Sequence, residues 1–381
     1  MKYFIIAGEA SGDIHGAALM ASIKQDDPDA QFQFLGGDLM AQQAGVQPLI
    51  HFRDMAYMGF VDVILHLPTI LGFMKTAKQA IIANRPDALI LIDYPSFNLK
   101  MAKFAHAQGI PCFYFISPKV WAWKEYRVKD IKRYITRLYS ILPFETEFFR
   151  RHAYEVEYVG NPTVKEIAEA AKCFGTFEQF AAAHALHPDR PIIALVPGSR
   201  RSEIRENLPV MVAAALRHPD HQLVIAGAPS INPERYDEVL RPLGANIPVV
   251  YGHSFELLHH AKVALVTSGT ATLETAILNT PQVACYRMNG SKITYEIYRR
   301  MIKGKYVTLP NLITNKLVIP ELLLHFCTPD AVDAHLSALL IDSPQRREML
   351  RNYQLVNQTL THKDCTATTA RSIVDYLKQK Q

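Results

Sequence analysis

The sequence predicts an α/β protein made of two doubly wound parallel-sheet domains, with helices at its C-terminal end. Three observations carry this expectation. Short runs of β-branched and aromatic residues alternate with longer amphipathic stretches, the pattern of parallel strands joined by helices. The series of strand-like runs stops near Gly160 and restarts near Ile192, across Asn161-Pro162 and an Ala-rich stretch. The 381 residues suit two domains at ~150 residues each.

The first series of strands is expected at residues 3–7, 32–35, 88–92, 111–115, 138–142 and 156–159. The second is expected at 192–196, 222–226, 248–250, 263–267 and 282–285. Between strands, Leu67, Ile70, Leu71, Met74, Ala77 and Ile81 recur at three and four, which predicts a helix. Beyond Pro329 only helical stripes remain, one through Met349, Tyr353, Val356 and Leu360 and one through Ala367, Ala370, Val374 and Leu377. The expected division is therefore 1–162, 163–343 and a helical tail 344–381 packing back on the first domain.

Composition narrows the function. Hydrophobic residues at 49% and charged residues at 20% describe a chain that can bury a large core, and the scattered 18 Gly and 23 Pro exclude a collagen-like one. A net charge of +5 falls short of a dedicated nucleic-acid binder and suits anionic small substrates or an anionic membrane surface. Cys112, Cys173, Cys285, Cys327 and Cys365 are too scattered for a disulfide framework or a zinc ligand pair, so reduced thiols are expected. The N-terminal apolar run is cut by Glu9 and reads as a strand rather than a signal peptide. The apolar window 55–74 contains Asp62, His66 and Pro68 and is not a transmembrane span.

Ligands of open α/β sheets bind beyond the carboxyl ends of the strands. Five loops lie there. After the first strand comes Gly8-Glu9-Ala10-Ser11-Gly12-Asp13, whose glycine spacing does not fit G-x-G-x-x-G and whose two acids suit a sugar hydroxyl better than a pyrophosphate. Asp93 follows a buried-type strand, where it serves either as a general base or as an N-cap. Ser117-Pro118-Lys119-Val120-Trp121-Ala122-Trp123 holds both tryptophans at the start of a basic stretch. That stretch either grips a phosphate beside a sugar or is a solvated helix over packed tryptophans. Gly198-Ser199-Arg200 and Ser268-Gly269-Thr270, the latter with Glu274 one turn on, are two helix starts of phosphate-binding type. No Walker loop and no convincing metal cluster accompany them; Asp27-Pro28-Asp29 precedes a strand and reads as a turn.

Taken in order, these loops resemble the lipid-A-disaccharide synthase family. The resemblance rests on Gly8 to Asp13, Ile92-Asp93-Tyr94-Pro95, Ser117-Pro118 with Val120-Trp121-Ala122-Trp123, Leu142-Pro143-Phe144-Glu145, Pro197-Gly198-Ser199-Arg200, the run from Ser268 to Glu274, and Leu309-Pro310-Asn311-Leu312. It implies an inverting glycosyltransferase of the two-Rossmann-domain (GT-B) type that joins UDP-2,3-diacylglucosamine to 2,3-diacylglucosamine-1-phosphate. The product is the β-1′,6 disaccharide of lipid A, with release of UDP.

By resemblance, Asp93 is the candidate base, with Glu9 beside it as a site residue. Gly198, Ser199, Arg200, Ser268, Gly269, Thr270, Glu274 and Asn311 fall to the nucleotide. Ser11, Gly12, Asp13, Lys119, Trp121 and Trp123 fall to the acceptor. Lys119 and Asn161 depart from the residues commonest at those places. No metal or other cofactor is implied. The family works in the Gram-negative cytoplasm, peripherally on the inner membrane, and a homodimer is left open. Met58, Phe60, Ile64 and Leu65 are the expected membrane contact, an apolar excess edged by Arg53, Lys75 and Lys78. Two other readings fit the residues: a UDP-sugar epimerase of the same architecture, and a non-catalytic UDP-binding protein.

Overall fold

The computed structural model describes residues 1–55, 66–122, 124–267, 269–287, 305–360 and 363–380. The chain forms two compact units, Met1–Pro162 with His362–Gln381, and Thr163–Thr361. The first unit carries a parallel sheet of β1 (Lys2–Ala7), β2 (Gln31–Gly36), β3 (Ile50–His51), β4 (Ala88–Ile92), β5 (Cys112–Phe115), β6 (Arg137–Ser140) and β7 (Glu157–Tyr158). Their order is β3-β2-β1-β4-β5-β6-β7, so the winding reverses between β1 and β4, where Ala7 pairs with Ile92.

The alternation of side chains along β1 builds a core on each face. Phe4 and Ile6 pack with Met74, Ala77 and Ile81 of the helix Leu67–Asn84. Tyr3 and Ile5 pack with Leu19, Met20 and Ile23 of the helix Ala10–Asp26 and with Ile373, Val374 and Leu377 of the helix Cys365–Lys378. Both faces are therefore covered, as an all-parallel sheet requires.

The second unit repeats the plan with β8 (Ile192–Val196), β9 (Gln222–Gly227), β10 (Val249–Tyr251), β11 (Ala261–Thr267), β12 (Gln282–Tyr286) and β13 (Glu321–Leu323), ordered β10-β9-β8-β11-β12-β13. Its reversal lies between β8 and β11, where Val196 pairs with Val266.

Two findings depart from expectation. The edge strands β3 and β13 have only two and three residues, too few to show alternation in the sequence. The tail is divided. The helix Pro344–Thr359 stays with the second unit, where Met349 and Tyr353 are buried and Gln282 Nε2 donates to Tyr353 Oη at 3.1 Å. Only the helix Cys365–Lys378 joins the first unit, tied by Arg137 Nη1 and Tyr139 Oη to Ser372 Oγ at 2.8 and 3.0 Å.

Candidate active site

At the reversal of the first sheet, the loops after β1 and β4 lie side by side. Gly8 is fixed by this closeness, since a Cβ there would stand 2.5 Å from the Tyr94 ring. Glu9 is the extended N-cap of the helix Ala10–Asp26 and is half-buried. Ser11 is exposed in the first turn, and Gly12 is buried against Ala7, where a Cβ would come within 3.2 Å of its methyl. Asp13 corrects the sequence reading. Its carboxylate is buried and accepts from the backbone N–H groups of Gly37, Leu39 and Met40 at 2.8, 3.1 and 3.1 Å. It holds the start of the helix Asp38–Ala44 and has no surface for a sugar hydroxyl.

Asp93 ends β4 in a left-handed conformation with φ 41°, followed by Tyr94 at φ 48°. For non-glycine residues each such backbone costs roughly 1–2 kcal/mol, so the pair must be held by its surroundings. Four contacts hold it. The Asp93 carbonyl accepts from Asn98 Nδ2 at 2.6 Å and from Tyr114 Oη. The Asp93 N–H reaches the Phe115 carbonyl at 3.3 Å. Tyr94 Oη donates to the Met55 carbonyl at 3.1 Å. The Asp93 carboxyl is raised above the usual carboxylate range by burial, against the lowering pull of Lys119 and the Tyr94 N–H. A raised carboxyl at a sheet's carboxyl edge is what a general base needs, because proton transfer is best matched near the working pH.

Beyond β5, Ser117 is buried and Lys119 is exposed. Trp121 donates from Nε1 to Glu145 Oε1 at 2.9 Å and stands edge-on to Phe144 at 4.9 Å. Trp123 and Ser268 lie outside the described residues. The same is true of Met58, Phe60, Ile64 and Leu65. Asn161 is buried and donates to the Ile141 carbonyl at 3.0 Å.

In the second unit, Gly198 turns the chain after β8 at φ 110°. The Ser199 and Arg200 N–H groups converge on Glu203 Oε2 at 2.9 and 3.2 Å, and Arg200 Nη1 pairs with Glu203 Oε1 at 3.3 Å. The turn is thus an anion cradle, but two of its donors are engaged by the chain's own Glu203. Arg200 is exposed, and Arg201 begins the helix Arg201–Ala215, also exposed.

After β11, Gly269 and Thr270 are exposed at the start of the helix Thr270–Ile277. Glu274 is half-buried one turn in, and its carboxyl is pushed up to about 7 by burial and then by Glu166. Asn311 is a second correction. It is fully buried, donating to the Ile319 carbonyl and Glu321 at 2.9 Å each and accepting from the Val318 and Ile319 N–H groups at 2.7 and 2.9 Å. Its amide braces the segment entering β13 and has no capacity left for a nucleotide.

Four residues escaped the sequence reading. Asn98 and Tyr114 are interior residues of ordinary type, and nothing in their spacing marks them. Glu145 lay within a quoted motif but had no assigned role. Glu203 could have been found, since a carboxylate three residues beyond a helix cap is capping-box spacing.

The architecture is shared with solved nucleotide-sugar proteins. UDP-GlcNAc 2-epimerase from Neisseria meningitidis, bound to UDP-GlcNAc, matches with a TM-score of 0.67 over 100% of both chains at 10% identity. The calicheamicin glycosyltransferase matches at 0.59 over 100% of this chain and 98% of its own, at 14% identity. The fold class is therefore two Rossmann-like domains of GT-B type. At such identities the likeness shows the fold and does not choose between epimerase and transferase.

Sequence makes the choice. The family model for lipid-A-disaccharide synthetase matches residues 3–374. Lipid-A-disaccharide synthase of Myxococcus xanthus is 37% identical over 99% of this chain and 97% of its own. That of Acidobacterium capsulatum is 37% identical over 94% and 91%. The chain belongs to the lipid-A-disaccharide synthase family, which are glycosyltransferases of lipid A biosynthesis.

Proposed function

We propose that the chain transfers the sugar of UDP-2,3-diacylglucosamine to the 6-hydroxyl of 2,3-diacylglucosamine-1-phosphate, giving the β-1′,6 disaccharide and UDP. The observation that carries this reading is the strained, half-buried Asp93 at the first sheet's reversal, in a chain that matches the family along nearly its whole length. In the step, the acceptor oxygen bonds to the anomeric carbon as the bond from that carbon to the UDP oxygen breaks. The hydroxyl proton passes to Asp93. Attack opposite the leaving group inverts the anomeric centre.

Lys119 is suited to the acceptor phosphate and the Trp121 face to its sugar, with Glu9 and Ser11 following β1 at the same carboxyl edge of the sheet. The diphosphate needs positive charge as it departs. Arg200, Ser199 and the helix starts at Gly198 and Gly269–Thr270 supply it once Glu203 yields the two amides it occupies. The Glu274 carboxyl forms no protein hydrogen bond among the described residues and suits the ribose hydroxyls. In this reading these charges neutralise the departing diphosphate, and no step is routed through a metal.

No described helix is long and apolar enough to cross a membrane. Both proposed substrates carry acyl chains, so peripheral binding at the cytoplasmic face of the inner membrane follows from them. Ile14, Leu67 and Leu71 are large apolar residues left exposed on the first unit. Leu67 and Leu71 follow Met58 and Phe60 closely in the sequence, and vesicle co-sedimentation of Met58→Ser with Phe60→Ser would test the proposed contact. The deciding experiment for the reaction offers both lipid substrates together, with and without chelator. Disaccharide and UDP are expected in both cases. Turnover of a soluble UDP-sugar alone would make the chain an epimerase, and UDP binding without product would make it a non-catalytic binder.

A further inference from the structure

Glu145 begins the helix Pro143–Arg151 with its side chain turned inward, 1% exposed. Its Oε1 accepts from Trp121 Nε1 and its Oε2 meets Ser140 Oγ. Ser140 Oγ also accepts from the Leu142 N–H at 3.1 Å and stands 2.9 Å from the Leu142 carbonyl oxygen. A hydroxyl has one proton to give. The Leu142 carbonyl also accepts from the Glu145 N–H at 3.1 Å, so these hydrogen bonds are satisfied with the shared proton on either Ser140 or Glu145. What places it on Glu145 is near-complete burial with two hydrogen bonds and no ion pair, since a buried charge without a partner is costly. Among the described residues Glu145 forms no ion pair; the charged groups that face it are Lys119 and Asp93.

From this burial without an ion pair we propose that Glu145 is held as a neutral carboxylic acid, and that in this form it positions Trp121 and leaves the Lys119 charge to the acceptor phosphate. The inference rests on the reading that Lys119 and Trp121 meet the acceptor. It deepens that reading by naming a positioning residue that touches no substrate. Burial pushes the Glu145 carboxyl up to about 8, with Asp93 adding to the rise and Ser140, Trp121 and Lys119 opposing it. Ionisation above that pH draws Lys119 toward a second buried carboxylate and away from the acceptor.

The chain has two tryptophans, so Trp123→Phe leaves Trp121 as the reporter. In that background the indole emission should change with a midpoint at about pH 8, and Glu145→Gln should abolish the change. Glutamine keeps the geometry, donating to Ser140 and accepting from Trp121. In the otherwise native enzyme, Glu145→Gln should therefore leave the acceptor KM at pH 7 within about twofold of the parent and remove its rise above about pH 8, with donor KM unmoved.

An emission titration that persists in Glu145→Gln overturns the proposal. So does an acceptor KM already raised tenfold at pH 7 in that variant, since it would mean that the charge is required. Infrared difference spectra of the parent against Glu145→Gln isolate this group from the other raised carboxyls, Asp93 and Glu274. A carboxylic-acid carbonyl band present at pH 6, lost above about pH 8 and missing from the variant supports the neutral form, and a parent spectrum without that difference band refutes it. Neither spectroscopic readout depends on turnover, so failure of the proposed reaction and failure of this inference are told apart.

Discussion

Replacing Asp93 by Asn should abolish most turnover while preserving the fold and the affinity for UDP. The structure explains why the change is confined to chemistry. Asn is among the few residues that accept a left-handed backbone, so φ 41° is retained. The braces from Asn98 and Tyr114 reach the main-chain carbonyl rather than the carboxylate, so they survive. Because burial raises the Asp93 carboxyl above its unfolded value, its contribution to stability is present below the unfolded pKa and is lost as pH rises through the folded one. Above its folded pKa the half-buried carboxylate therefore weakens the fold, and the Asn variant should melt no lower than the parent.

Removing a general base typically costs ~10²–10⁴ in rate, which is about 3–5 kcal/mol of barrier. The assay is disaccharide formation from both lipid substrates in the pre-steady state, with UDP affinity by calorimetry and melting by circular dichroism. Turnover within about tenfold of the parent would refute the reasoning and move the role to Glu9.

Four further outcomes are expected. Arg200→Ala should weaken UDP binding by roughly 1.5–3 kcal/mol, the worth of a charge-assisted hydrogen bond, whereas Arg201→Ala should change it little; calorimetry decides. UDP affinity should fall as pH drops through about 7, because Glu274 must be ionised to accept from ribose, and Glu274→Gln should flatten that profile. The same variant should be the more stable one at pH 8 in urea unfolding, since a carboxyl raised to about 7 loses its stabilising contribution as pH climbs past that value. Asp13→Ala should destabilise by about 2–3 kcal/mol in the same assay, from three buried N–H groups losing their acceptor, with UDP affinity unchanged in the folded protein.

What could be read from the residues follows from where the signal lies. Ala88–Ile92 and Ile192–Val196 were legible to the residue, because a central parallel strand is apolar on both faces and these two end abruptly, at Asp93 and at Pro197. Ile50–His51 was not, since two residues carry no period. Asp93 was legible as a residue at a strand end, yet its backbone strain was invisible, because the groups that hold it come from the next strand and the next helix. Asp13 and Asn311 mark the opposite limit. Both stand in functional-looking motifs, and both carboxylate and amide turn inward onto backbone N–H groups. A motif records that a polar residue is needed at a place; only three dimensions tell whether a ligand or the chain itself needs it.

The helix Cys365–Lys378 completes one wall of the first unit's core, although roughly two hundred residues separate it from the end of that unit's sheet. During synthesis at about 5–20 residues per second, the sheet would wait some tens of seconds with that wall open. Leu19, Met20 and Ile23 would be partly uncovered for the interval. The nascent first unit is therefore a natural client for chaperones. Truncations that remove the last helix should fail at this stage of biogenesis, before either unit's chemistry is tested.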